Sequence, residues 1–234
     1  MQLYLDTGDL REVEEAVAMG VLAGVTTNPT LLTASGTLDF ADTIRRFCAA
    51  VPGPVSAEVL ATKHQDMVAE ALEIASWAPN VVVKIPMTVN GLKTLNTLRS
   101  ERPGTATNVT LIFSPNQAML AAQAGATYVS PFVGRLDDIS HDGMAVVRDS
   151  ADIFRRYGIP TKVLAASIRH PLHCIEAAKA GADIATMPFK VMMQMVKHPL
   201  TDIGLERFLA DWRKVMGERT VLTPVVAAGA RAVS

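Results

Sequence analysis

Short runs of β-branched and other apolar residues alternate along the chain with longer stretches in which apolar residues recur every three or four positions. Continuous apolar runs read as strands buried on both faces, and the longer stretches read as amphipathic helices. Strand cores fall at residues 3–6, 24–27, 55–60, 81–86, 106–112, 127–133, 162–167 and 183–187, and helical stretches at 9–18, 38–50, 65–76, 91–100, 115–124, 143–157 and 172–180. The punctuation agrees with that division. Asp9, Ser114 and His170 stand where helix caps are wanted, Pro115 and Pro171 suit a first turn, and Gly125, Gly158 and Gly181 suit the stop. Strand and helix in strict alternation predict βα units around a parallel sheet. Eight units in 234 residues predict an α/β chain folded as a single-domain (β/α)₈ TIM barrel over residues 1–234. An open doubly wound sheet is the main alternative. It loses its usual nucleotide-binding support, because no Gly-x-Gly-x-x-Gly follows the first strand and no Gly-x-x-x-x-Gly-Lys-Ser/Thr occurs.

After the eighth strand the chain continues as a C-terminal helical extension over 189–234, with helices at 189–198 and 201–216 and an apolar segment at 221–233. Met192, Met193 and Met195 would form a soft apolar surface, and Leu205, Phe208, Leu209 and Trp212 recur at helical spacing. That stripe reads either as a helix packed on its own barrel or as a subunit contact.

Composition narrows the partner. A net charge of −1 removes the electrostatic footprint of a nucleic-acid or polybasic membrane binder, leaving a small molecule as the expected ligand. No basic segment followed by an apolar one opens the chain, and no stretch approaches 18 uninterrupted apolar residues, so no membrane association is expected. Cys48 and Cys174 lie in apolar helical surroundings far apart in sequence, which suits reduced thiols in a cytoplasmic protein.

One residue breaks the hydrophobic pattern. Lys84 ends the run Val81-Val82-Val83, where a strand buried on both faces offers an ammonium group no water. It either snorkels out of the strand end or is kept partly neutral by burial so that it attacks a carbonyl. A lysine of ordinary pKa, about 10.4, is neutral in roughly 0.04% of molecules at pH 7, and a pKa near 7 to 8 raises that fraction about a thousandfold.

The other strand ends bear on that choice, since working residues of a barrel project from the C-terminal ends of its strands. There the chain carries Asp6, Thr26 and Asn28, Glu58, Asn108 and Thr110, Ser130 and Phe132, then Arg135, Ser167 and Arg169. Each alone has a plain explanation as a cap, a turn residue or a backbone hydrogen-bonder. Together, a lysine, two carboxylates, neutral hydrogen-bonders and two arginines on one rim suit a polyhydroxylated phosphate substrate approached by an amine. His170 and His173, three apart near Cys174, read as surface or cap residues rather than metal ligands, and no metal is expected.

The stretch Ala23-Gly24-Val25-Thr26-Thr27-Asn28-Pro29-Thr30-Leu31-Leu32 resembles the first signature of the transaldolases, and Val82-Val83-Lys84-Ile85-Pro86 resembles the strand carrying their Schiff-base lysine. Three further blocks, at 108–114, 130–135 and 165–169, match in the same order, and the likeness runs over residues 3–216. The length resembles the short subgroup that also holds the fructose-6-phosphate aldolases. The aldolases of that subgroup carry glutamine where this chain has Glu58 and tyrosine where it has Phe132, so both positions resemble a transaldolase. The resemblance implies sugar phosphates as substrates, no cofactor, and a homo-oligomer, pentamer or decamer, with the C-terminal helix reaching a neighbour. It implies Lys84 as nucleophile, Asp6 as the base for carbon–carbon cleavage, and Glu58 with Thr110 as proton handlers. Asn28, Asn108, Ser130, Thr26 and Phe132 would surround the donor, and Arg135, Ser167 and Arg169 would bind phosphate. An aldolase releasing free dihydroxyacetone, and a non-catalytic sugar-phosphate-binding barrel, are the competing expectations.

Overall fold

The computed structural model describes residues 1–36 and 39–217 and divides into two compact units, Met1–Met195 and a second beginning at Val196. The first unit holds strands β1 (Gln2–Asp6), β2 (Gly24–Thr26), β3 (Val55–Glu58), β4 (Val81–Pro86), β5 (Thr107–Ile112), β6 (Tyr128–Pro131), β7 (Lys162–Ala165) and β8 (Ile184–Met187). They pair in parallel in chain order, and β8 returns to β1, closing an eight-stranded barrel. The helices are α1 (Leu10–Ala18), α2 (Pro29–Ala34), α3 (Phe40–Ala50), α4 (His64–Ile74), α5 (Val89–Glu101), α6 (Pro115–Gln123), α7 (Val133–Asp137), α8 (Gly143–Tyr157), α9 (Pro171–Ala180) and α10 (Phe189–Val196). The second unit contains α11 (Pro199–Met216), none of whose residues is buried. The expected apolar segment at 221–233 lies outside the described residues, as does Leu38, where the third-strand-bound helix was expected to start. That helix begins at Phe40 behind an Asp39 cap.

Alternation along the strands sorts the core into two populations. Leu5, Val25, Val55, Ala57, Val83, Ile85, Val129, Val163 and Ala185 are buried in the larger cluster between sheet and helices. Tyr4, Val82, Tyr128, Leu164 and Ile184 form a separate cluster inside the barrel, filling its floor. Two residues further along most of these inward-pointing rows come Asp6, Lys84, Ser130 and Thr186, so the apolar floor ends where a polar layer begins. The floor is tight. A Cβ on Gly24 would lie 2.5 Å from the Tyr4 ring and 2.8 Å from the Pro54 carbonyl oxygen. Gly24→Ala is therefore expected to cost about 1–3 kcal/mol through overpacking. Thermal denaturation measures it, and an unchanged midpoint would mean that the Tyr4 ring has room to retreat.

Several strand ends differ from expectation in a way that builds the mouth of the barrel. The third strand stops at Glu58, the sixth at Pro131 and the seventh at Ala165, two or more residues before their expected ends. Two short helices that hydrophobic period did not predict, α2 and α7, follow β2 and β6, because five or six residues are too few to display a helical repeat. Asn28 caps α2, its side-chain oxygen accepting from the Leu31 N–H at 3.0 Å, and Pro29 sets the first turn. On β5 the register with β6 slips between Val109 and Ile112, and Leu111 adopts φ +59°. This bulge inserts one residue, so Thr110 stays on the inward row while Ile112 returns to the outer core.

Candidate active site

The polar layer is assembled from neighbours in register. Asp6 pairs with Thr26, Thr26 with Ser56, Glu58 with Lys84, and Lys84 with Asn108, which places these side chains side by side on the inner face. Lys84 does not snorkel. It is 5% exposed, its Nζ lies 3.0 Å from Glu58 Oε2, and it donates to the Thr27 carbonyl oxygen at 2.9 Å. Burial of this charge is compensated by one carboxylate and one carbonyl, the arrangement that a dry ammonium requires.

Asp6 lies near enough to feel the charges of both Lys84 and Glu58. Burial pushes its carboxyl above the ordinary range, opposed by the nearby Lys84 charge and by the hydrogen bond from Thr26, while Glu58 adds to the rise. Thr26 donates to Asp6 Oδ1 at 2.8 Å and shares a 2.7 Å hydrogen bond with the Thr186 hydroxyl. Since the Thr26 proton goes to Asp6, Thr186 is the donor of that second bond, and the three form a chain running from β8 to β1.

On the far wall Ser130 donates to Asn108 Oδ1 at 2.7 Å, and Asn108 donates through Nδ2 to the Ser56 hydroxyl at 3.3 Å. These bonds leave the Ser130 oxygen free to accept from a ligand hydroxyl. The Thr110 hydroxyl oxygen is fully buried and has no hydrogen-bond partner among the described residues. A buried hydroxyl left unsatisfied costs about 1–3 kcal/mol.

A pocket opens above this layer. Asp6, Thr26, Asn28, Lys84, Ser130 and Phe132 line its inner part, and Arg135, Ser167 and Arg169 its outer part. Glu58, Asn108 and Thr110 lie outside that lining, around and behind the lysine. All twelve residues singled out from sequence belong to the barrel unit and face one mouth or support it; the pocket adds Ala166 and Thr186. Thr186 was legible. In Ile184-Ala185-Thr186-Met187 the same alternation that selects Ser130 puts the threonine inside.

The outer part is cationic. The Arg135 guanidinium stands 5.2 Å from the Phe132 ring centroid, and Phe132 packs edge-on against Phe113 at 5.8 Å, so an apolar stack carries the charge. Arg169 is paired with Asp138 at 2.8 Å. Its side chain crosses α7 where only glycine fits, since a Cβ on Gly134 would lie 2.5 Å from the Arg169 Nε. Ser167 adopts φ +58°, a conformation costly for a residue with a Cβ and concentrated at functional sites. His170 is a cap, as expected, accepting from the His173 N–H, but His173 is not a surface residue: it is 6% exposed.

Three comparisons bear on this arrangement. Residues 3–221 match the family model described as Transaldolase/Fructose-6-phosphate aldolase. Over 92% of its length the chain is 58% identical to a protein of Moorella thermoacetica and 59% identical to one of Desulforudis audaxviator, each named "Probable transaldolase" and covered to 99%. Among solved structures, the inosine 5′-monophosphate dehydrogenase of Legionella pneumophila superposes with a TM-score of 0.58 over 82% of this chain and 58% of that one. Its 13% identity makes that likeness one of barrel fold alone.

Proposed function

The chain belongs to the transaldolase/fructose-6-phosphate aldolase family, and from that membership we propose the following reading of its site. The protein is a transaldolase, moving a dihydroxyacetone unit from a ketose phosphate such as fructose 6-phosphate or sedoheptulose 7-phosphate to an aldose phosphate. The observation that carries this is a buried lysine with two carboxylates at hand, Glu58 at 3.0 Å and Asp6 coupled through charge, in a pocket that two arginines also line.

Glu58 takes a proton from the Lys84 ammonium, and the freed amine adds to the substrate C2 carbonyl. Loss of water, with Glu58 and the unpartnered Thr110 hydroxyl handling it, gives a protonated imine. Asp6 then takes the proton of the C4 hydroxyl. The C3–C4 electron pair moves into the iminium, leaving an enamine on Lys84 and releasing an aldose phosphate. A second aldose phosphate enters and the same steps run backwards, which predicts ping-pong kinetics. Asn28, whose side-chain oxygen already serves α2, offers its NH₂ to donor hydroxyls, and Ser130 offers its oxygen. Arg135, Arg169 and Ser167 hold the phosphate, for which guanidinium forks suit the oxygens.

Incubation with fructose 6-phosphate and erythrose 4-phosphate should yield sedoheptulose 7-phosphate and glyceraldehyde 3-phosphate, with little free dihydroxyacetone when the acceptor is omitted. Release of dihydroxyacetone at the transfer rate would instead mark an aldolase. Glu58→Gln keeps the shape but no longer titrates, and turnover should fall about 10²-fold; an unaltered rate removes Glu58 from the proton path.

We also infer a homo-oligomer, of five or ten subunits by family resemblance, in a cytoplasmic setting. Along α11 Leu200, Ile203, Leu205 and Phe208 are each more than half exposed, more apolar surface than one exposed helix ordinarily leaves in water. Both cysteines are free and buried, and no helix among the described residues is long and apolar enough to cross a membrane. The unit beginning at Val196 is read as an extension of one barrel domain, because every residue given a catalytic role precedes it.

A further inference from the structure

Behind the cationic end of the pocket lies a relay that the mechanism does not use. His173, on α9, accepts the backbone N–H of Arg169 through Nδ1 at 3.3 Å, and its Nε2 lies 3.2 Å from Asp137 Oδ2. Asp137 is the last residue of α7, the short helix that carries Arg135, and its other oxygen accepts from the Gly143 N–H at 3.0 Å at the start of α8. One imidazole thus ties the backbone of one arginine to the helix bearing the other. A side chain that donates from one nitrogen and accepts at the other must be a neutral imidazole with its proton on Nε2.

Resting on the reading of Arg135 and Arg169 as the phosphate-binding pair, we propose that His173 is a positioning residue that sets the spacing of the two guanidinium groups and hence the affinity for the phosphate of the substrate. Arg169 sits just beyond a strained Ser167, in a loop between β7 and α9. Backbone in that conformation persists only where its surroundings over-determine it, and the His173 acceptor is one such restraint. Around the ring stand the α9 cap His170, Glu176 on α9, Asp137 on α7 and Arg169 in the loop. Burial, His170 and Arg169 push its titration below the ordinary imidazole value, and Asp137 and Glu176 oppose them, so the ring is neutral at pH 7. When acid protonates it, Nδ1 becomes a donor facing the Arg169 N–H, and the restraint becomes a repulsion.

Two substitutions separate the two contacts. Asparagine at this position offers an oxygen where Nδ1 stands, and glutamine offers an NH₂ where Nε2 stands. His173→Gln should raise the fructose 6-phosphate concentration giving half-maximal trapping of the Lys84 imine by cyanoborohydride by about tenfold or more. The same variant should leave trapping by unphosphorylated dihydroxyacetone unchanged, and His173→Asn should bring the fructose 6-phosphate value back to within about threefold of the parent. As pH falls from 7.5 to 5.5, half-saturation should rise more steeply for the parent than for His173→Asn, the substrate's own phosphate titration being common to both. If His173→Gln shifts both ligands equally, or neither, the residue is only structural and the proposal is overturned. Should His173→Gln not fold, the pH comparison with His173→Asn decides, parallel profiles overturning it. An absence of any Lys84 adduct in the parent protein would instead sink the catalytic reading on which this rests.

Discussion

Lys84→Met is expected to abolish transfer, with turnover down on the order of 10⁴- to 10⁶-fold, because no other group replaces a covalent nucleophile and its electron sink. The substitution also has a folding consequence that serves as its control. Lys84 is buried and Glu58 nearly so, with side chains 6% and 14% exposed, and removing the cation leaves the Glu58 carboxylate without a counter-charge. Breaking such a pair from one side costs about 3–5 kcal/mol, whereas removing both charges is often close to neutral. The single variant should therefore melt well below the parent, and adding Glu58→Gln to it should restore most of the loss without restoring activity. Borohydride reduction with fructose 6-phosphate, followed by peptide mass analysis, locates the imine. An adduct at another lysine, or a Lys84→Met protein that still transfers, would remove this residue from the centre of the mechanism.

Asp6→Asn is expected to separate activity from stability in opposite directions. The base that takes the C4 hydroxyl proton is lost, which should lower turnover by about 10²- to 10⁴-fold while imine formation with Lys84 persists. Stability should move the other way. In the unfolded chain Asp6 ionises near its ordinary value of about 3.9. In the folded protein burial raises that point, so within the window between the two the folded state holds a proton that the unfolded state has released. Stability contributed by this residue is present below the unfolded value and declines as pH rises through the folded one. Asparagine carries no charge to desolvate. The gain in melting temperature of Asp6→Asn over the parent should be small near pH 4 and grow toward pH 7.5. A difference that stays flat or shrinks would mean that the buried carboxylate is as well solvated inside the barrel as outside it. Activity of the parent should fall on acidification at a pH above the ordinary carboxylate range, for the same reason.

The two experiments expose what kind of site this is. Lys84 and Asp6 lie on β4 and β1, which are not neighbours in the sheet, and each is held by a different set of partners: Glu58 and the Thr27 carbonyl for one, Thr26 and Thr186 for the other. Charges that would each be costly alone are tolerated because each has hydrogen-bonding or charged partners and each feels the other's opposite charge.

From sequence alone the barrel was legible, because apolar runs alternating with helical stretches admit few architectures, and period-two alternation assigns inward positions without any knowledge of contacts. That rule selected Asp6, Glu58, Lys84, Asn108, Thr110 and Ser130, and applied to the last strand it would have selected Thr186 too. It fails where the backbone leaves its regular repeat. The short helices α2 and α7, the bulge at Leu111 and the left-handed turn at Ser167 have no periodic signature, and α2, α7 and the Ser167 turn are the features that place Asn28, Arg135 and Arg169 at the pocket. His173 was misjudged for a related reason. A histidine at the third position of a helix looks like a surface residue until the chain closes and brings α7 over it. Local pattern, then, determined the fold and the inward positions of its strands, since burial and alternation are properties of neighbours in the chain. Only tertiary structure decided which carboxylate met the lysine, which hydroxyl was left without a partner among the described residues and what tied the two arginine-bearing segments together, because those depend on side-chain contacts between separate elements of the closed barrel.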